Sequence, residues 1–395
     1  MSYLEGVEGV EGVEGVEGVE GVEGVEGVEG VGRARGFPIG AMVTHRDGIA
    51  GGWNSLGIAW KGDELPLGTE EQLARWDPRI RQFTFESELL SSLQFAIDDM
   101  PDGNGRQWAT LWHFSPTKVA SGDAKPEGTW QKFVTMVRPK DTTLIKQNDL
   151  VNGYADLRAD RAREILAQMA PQYAFWASVV PLHRARHPRT LELINIALRL
   201  AKYAEMNFKH ALCVRRPQEY SPQIQPMIQT PIHGSLPSGH STEAFTVALL
   251  LQALVSSVNN ATDARVVQLR QILLAQAARI AINRTVAGVH FPVDSMAGQL
   301  LGIALSNYLL QRCDGPSIPA SGTLANVDGY RFDGHKYPDA ENFSGSEQLD
   351  AGTGNFVAPA AGYSSKLGSQ IGVTKSARLA WLWGAAREEW TGTYA

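Results

Sequence analysis

From Asp141 to Arg312, apolar residues recur at helical spacing in one segment after another, and this run constrains the fold more than any other feature. Asp160 to Val180 keeps the period up to Pro181. Thr190 to Cys213 sets Leu191, Leu193, Ile196, Leu198, Leu200 and Met206 in an amphipathic pattern. Residues 214–237 break the run, because Pro217, Pro222, Pro226 and Pro231 are incompatible with continuous helix. The pattern then predicts helices over Gly239–Val258 and Asp263–Asn283, with Asp263 as N-cap or first-turn residue. Another is expected from Pro292, a favoured first-turn proline, to Arg312. Helices joined by loops in this way predict an all-α fold, a helical bundle.

The flanking regions are less regular. Phe83 to Met100 has helical spacing and ends at the turn Pro101-Asp102-Gly103. Residues 33–83 and 103–140 mix Gly, Pro and Trp without a period. They read as a loop-rich aromatic N-terminal region, with Trp108, Trp112, Phe114, Trp130 and Phe133 as buried anchors. Beyond Asp314 the chain is Gly-, Ser- and Asp-rich up to Val373, a loop-rich C-terminal segment. A last amphipathic helix, Lys375 to Trp390, carries Leu379, Trp381, Leu382 and Trp383. Arg387, Glu388 and Glu389 give it no basic face, so it is expected to pack on the bundle or on a second subunit, as in a homo-oligomer, and not on a membrane.

Leu4 to Gly30 is a tripeptide repeat, one Leu-Glu-Gly and eight Val-Glu-Gly units. Period three fits neither strand nor helix, and the glutamates repel one another, so the expectation is a disordered acidic leader. The expected division is 1–32 acidic repeat, 33–140 irregular N-terminal region, 141–313 helical core and 314–395 C-terminal extension.

Charge and cysteine content exclude several classes. The net charge of −6 is dominated by nine glutamates in residues 1–32, and removing them leaves +3 on residues 33–395. That suits a small anionic ligand and falls short of nucleic-acid binding. Cys213 and Cys313 are the only cysteines, with no CxxC motif and no disulfide framework. The apolar run Ala244–Val258 is broken by Gln252, Ser256 and Ser257 and is shorter than the ~20 residues of a span. With no secretory pattern at the amino terminus, a cytoplasmic or otherwise soluble protein with no membrane partner is expected.

Three clusters sit within this helical region. Lys209 is followed after six residues by Arg216-Pro217. Pro237-Ser238-Gly239-His240 comes next, then Asn283-Arg284, five residues, His290, three residues and Asp294. Arg216 and Arg284 offer planar forks and Lys209 a point charge, which together suit a tetrahedral oxyanion. Ser238 and Gly239 open a helix, so their backbone N–H groups are expected to face the same anion, and Gly239 lets the backbone approach it. His290 can offer a lone pair if its other nitrogen holds the proton, which Asp294 can accept as a hydrogen bond. His240 is placed as the general acid or base of an in-line displacement.

This pattern, Lys-x6-Arg-Pro, Pro-Ser-Gly-His and Ser-Arg-x5-His-x3-Asp, resembles the superfamily uniting vanadium-dependent haloperoxidases, type-2 phosphatidic acid phosphatases and bacterial acid phosphatases. The match holds at Lys209, Arg216, Pro217, residues 237–240, Arg284, His290 and Asp294, with Asn283 where Ser is usual. The resemblance implies that Lys209, Arg216, Ser238, Gly239, Arg284 and His290 hold the oxyanion.

Within the superfamily the haloperoxidase branch is expected. Vanadate would be the cofactor, ligated by His290, and hydrogen peroxide, halide and a small organic acceptor the partners. His233, seven residues before His240, stands where members oxidising bromide commonly carry His, which points to bromide or iodide. Met206, where an aromatic is frequent, departs from that branch. The alternative is an acid phosphatase working through a phosphohistidine at His290. A third class is an anion-binding protein without turnover, or an interaction protein using the acidic repeat.

Overall fold

The computed structural model describes residues 68–98, 102, 103, 105–118, 127–170, 172–259, 263–314, 325–350 and 352–392. The acidic repeat, and the N-terminal region before residue 68, lie outside them. Helix α1 (Pro78–Leu90) begins with a proline in its first turn, and the Asp77 side chain accepts the Arg79 N–H. Next come β1 (Leu93–Ile97), β2 (Ala109–Lys118) and β3 (Glu127–Val137). Helices α2 (Asp141–Gly153) and α3 (Arg158–Ala167) follow. The long helices are α4 (Pro188–Leu212), α5 (Gly239–Val258), α6 (Ala264–Val286) and α7 (Pro292–Asp314). Strands β4 (Ala325–Asp333) and β5 (Ser364–Val373) and helix α8 (Ala377–Glu388) complete the fold.

The all-α expectation is wrong. The five strands form one mixed sheet in the order β1-β2-β3-β4-β5, antiparallel except for the parallel β3–β4 pair, and the fold is an α/β mixture. Two physical causes hid the strands. In β2 the buried positions include Thr110, His113 and Ser115, polar residues that erase the apolar alternation. In β3 residues Phe133–Val137 are buried on both faces, leaving no alternation to read. The helix expected over Phe83–Met100 ends at Leu90, and Leu93–Ile97 pairs instead with β2. Val134 lies opposite Tyr330, so the N-terminal region and the C-terminal extension share one sheet.

The core helices follow the apolar periods closely. Asp263 caps α6 by accepting the Arg265 N–H at 2.8 Å, and α4 closes on Cys213 in the left-handed conformation, whose N–H reaches the Lys209 carbonyl. Helices α5 and α7 cross in close contact at Gly298 and Gly302. An added Cβ would lie 2.6 Å from the Ser238 carbonyl at the first and 2.8 Å from the Thr242 carbonyl at the second. That approach brings the start of α5 against the start of α7. Phe95 of β1 meets Phe208 edge-on at 5.1 Å, so the sheet braces α4 beside Lys209. Leu379, Leu382 and Trp383 of α8 are buried against the chain's own helices, so their apolar surface is already covered within the fold.

The reading of residues 244–258 as too short for a span also needs correction. The helix starts at Gly239, reaches 20 residues and has a mean hydropathy of 1.4 over its most apolar stretch, enough by length and composition to cross a membrane. Within the fold 72% of that stretch is buried, as in a core helix.

Candidate active site

The three clusters converge where α4 ends and α5 and α7 begin. Lys209, on the last turn of α4, is buried, and its Nζ donates to the carbonyls of Gly234 and Ser235, each at 3.3 Å. Arg216 follows the α4 cap and is 1% exposed. Its Nε donates to the His233 carbonyl at 3.2 Å and Nη1 to the Val289 carbonyl at 3.1 Å. These carbonyls fix the fork against His290, whose Nε2 lies 3.1 Å from Nη1.

His290 is held from its other side. Asp294 Oδ2 lies 3.0 Å from His290 Nδ1 and 3.0 Å from the Phe291 N–H, and Ser235 Oγ donates to Oδ1 at 3.5 Å. A carboxylate can only accept here, so the network assigns the His290 proton to Nδ1 and the lone pair to Nε2. Burial holds His290 well below the usual histidine range, helped by Arg216 and Lys209. Burial pushes Asp294 up, opposed by the Phe291 N–H and then by Lys209 and Arg216. The pair is thus an imidazole with Nδ1–H on Asp294 and its Nε2 lone pair turned to Arg216 Nη1, the nitrogen that a nucleophilic step would use.

Arg284 is on the last turn of α6 and is 2% exposed. Its Nη2 donates to Gln168 Oε1 at 3.0 Å and to the Ile165 carbonyl at 3.2 Å. The Gln168 carbonyl lies 3.0 Å from His240 Nε2. A carbonyl can only accept, so Nε2 carries a hydrogen and Nδ1 is the atom left for acid–base chemistry. Gln168 thus touches both Arg284 and His240. No motif marks it in the sequence.

Asn283 has a local reason to be there. Its amide donates to Glu164 at 2.8 Å and to Gln168 at 3.1 Å, and its oxygen accepts from Arg161 at 3.1 Å. A serine could not reach three partners on and just beyond α3. His233 is half-buried, with Nδ1 3.1 Å from Arg216 Nη2.

Two expectations about the start of α5 change. The Ser238 N–H does not face a ligand: it donates to the Asp294 carbonyl at 2.9 Å, while the Ser238 side chain caps the helix. Glycine at 239 is required by the protein itself, since a Cβ there would sit 2.9 Å from Oε1 of the buried Glu205. Sequence reading overlooked Glu205, although it lies four residues before Lys209 on the same face of α4.

Residues 192–313 match the family model described as the PAP2 superfamily, so a PAP2 superfamily domain covers most of α4 through α7 and all the motif residues. Among curated proteins none matches the sequence. One solved structure that matches is the first transmembrane PAP2 type phosphatidylglycerolphosphate phosphatase from Bacillus subtilis. It has 18% identity and a TM-score of 0.27, and the match covers 42% of this chain and 80% of that one. Helix α5 is by length and composition apolar enough to cross a membrane, so the expectation of a soluble, cytoplasmic protein is withdrawn.

Proposed function

We propose that the chain hydrolyses phosphate monoesters through a phosphohistidine at His290. The PAP2 superfamily domain supports phosphatase-type activity. The observation that carries the specific reading is the wiring of His290, with Nδ1–H on Asp294 and Nε2 beside Arg216. In this reading Lys209, Arg216 and Arg284 hold the phosphoryl oxygens, and Nε2 attacks phosphorus as the ester P–O bond breaks. His240 gives a proton to the leaving oxygen through Nδ1, its Nε2–H staying on the Gln168 carbonyl. Water then attacks phosphorus, the P–N bond breaks, and His240 takes the water's proton. Asp294 stabilises the positive charge that His290 carries in between.

Vanadate-dependent halide oxidation is the second reading, favoured by the His233 ring against Arg216. Orthovanadate has the same shape and charge pattern as phosphate. Lys209, Arg216, Arg284 and His290 would hold it, and when bound it would supply peroxide activation. The test divides purified protein, stripped of metal, between buffer and orthovanadate. Each half is assayed with p-nitrophenyl phosphate and with bromide, peroxide and a halogen acceptor. Hydrolysis in buffer, inhibited by vanadate and lost in His290→Ala, is the expected result. Bromination that requires vanadate, without hydrolysis, overturns the phosphatase reading.

A further inference from the structure

Along one face of α4 lie Lys202, Glu205 and Lys209, spaced so that all three face the same side. Glu205 is fully buried, and its carboxylate packs against Gly239, the first residue of α5. Lys202 Nζ lies 2.8 Å from Glu205 Oε1 and 3.1 Å from Glu243 of α5, so the two carboxylates share one ammonium. Glu205 Oε2 accepts no hydrogen bond from any described residue. A buried carboxylate oxygen without a donor is costly, so its place at the start of α5, where an anion is otherwise favoured, calls for a ligand that brings a donor.

We propose that Glu205 is a specificity-determining residue that selects the singly ionised, protonated form of a phosphoryl ligand. The inference rests on the reading of the site as a phosphate pocket. Glu205 Oε2 accepts the P–OH hydrogen of a monoanion, while a dianion has no hydrogen to give and meets the carboxylate as a like charge. The preferred substrate is then a phosphomonoester in its monoanionic form. No proton is transferred to Glu205, and the hydrogen bond simply forms on binding.

The titratable and charged groups of the site and of the elements around Glu205 are Lys202 and Lys209 on α4, His240 and Glu243 on α5, and Asp294 and His290 around the start of α7. Arg216 and His233 adjoin His290, and Arg284 is held by Gln168. All remain in Glu205→Gln, so comparing it with wild type cancels their titration. Sulfate, doubly charged and without a proton at either pH, serves as the control ligand.

The experiment measures binding of inorganic phosphate and of sulfate by calorimetry, at about pH 5.5 and about pH 8.5, on the full chain. Phosphate loses its second proton between these values. Wild type is expected to bind phosphate at least ~10-fold more weakly at the higher pH and to bind sulfate weakly at both. Glu205→Gln is expected to reduce the phosphate difference below ~3-fold and to tighten sulfate at both pH values. The wild-type series tests the idea even if the variant fails to fold. Phosphate binding independent of pH in wild type overturns the role of Glu205 and leaves the anion pocket standing. An unchanged pH profile in a folded Glu205→Gln overturns it as well. No binding of either anion by wild type removes the phosphate pocket itself.

Discussion

His290 Nδ1 lies 3.0 Å from Asp294 Oδ2, and the same oxygen takes the Phe291 N–H at 3.0 Å. One carboxylate oxygen therefore fixes both the ring and the backbone that carries it. In Asp294→Asn the amide oxygen can keep both donors while its NH2 turns to Ser235. What is lost is the negative charge that stabilises a positively charged His290. Phosphatase kcat is expected to fall about 10- to 100-fold with little change in KM. Asp294→Ala leaves two donors unpaired, at about 1–3 kcal/mol each, and should lower both kcat and Tm further. Steady-state kinetics on p-nitrophenyl phosphate beside thermal melts separate the two effects.

Gln168 supports Arg284 through its side chain and His240 through its backbone. Gln168→Leu keeps the backbone contact to His240 and removes the side-chain contacts to Arg284, Asn283 and Glu164. Arg284 then loses an acceptor worth about 1.5–3 kcal/mol, and KM should rise roughly tenfold or more while kcat holds within about threefold. A fall in kcat at constant KM would show that Gln168 acts chiefly through His240.

The α5–α7 crossing has no room for a methyl group at Gly298 or Gly302. Each Gly→Ala substitution should cost about 1–3 kcal/mol by overpacking, read as a lower Tm. Gly298 presses on Ser238 and Ser241 at the start of α5, whereas Gly302 presses on Thr242 and Phe245 farther along. Activity measured well below the melting temperature should therefore suffer more in Gly298→Ala. Equal loss of activity in both variants would mean that the crossing does not set the site's geometry.

His113 gives the fold an acid sensitivity. Burial in the sheet, with Arg312 nearby, pushes its imidazole down to about 3 from 6.5. The folded protein keeps it neutral while the unfolded chain takes up a proton below pH 6.5. Stability from this group is thus complete above about pH 6.5 and is lost as pH falls towards 3. Near pH 5 the loss is about 2 kcal/mol. His113→Phe should narrow the Tm difference between about pH 7 and about pH 5 relative to wild type. An unchanged difference would place the acid sensitivity elsewhere.

The helical core and the cluster residues were legible in the sequence because both are local patterns. Apolar spacing located α4, α5, α6 and α7 to within a few residues at each end, and motif spacing singled out Lys209, Arg216, His240, Arg284, His290 and Asp294. A helix makes its hydrogen bonds within itself, so its signal lies in consecutive residues.

Only the tertiary structure decided the rest. Strand β3 finds β4 nearly 200 residues away, and no local pattern encodes that pairing. The Ser238 N–H goes to Asp294, Gly239 makes way for Glu205, and Asn283 reaches back to α3. Each of these depends on where a second element lies in space. Sequence names the groups that can donate, accept or attack; packing decides which of them meet, because a buried polar group takes whatever partner the fold brings to it.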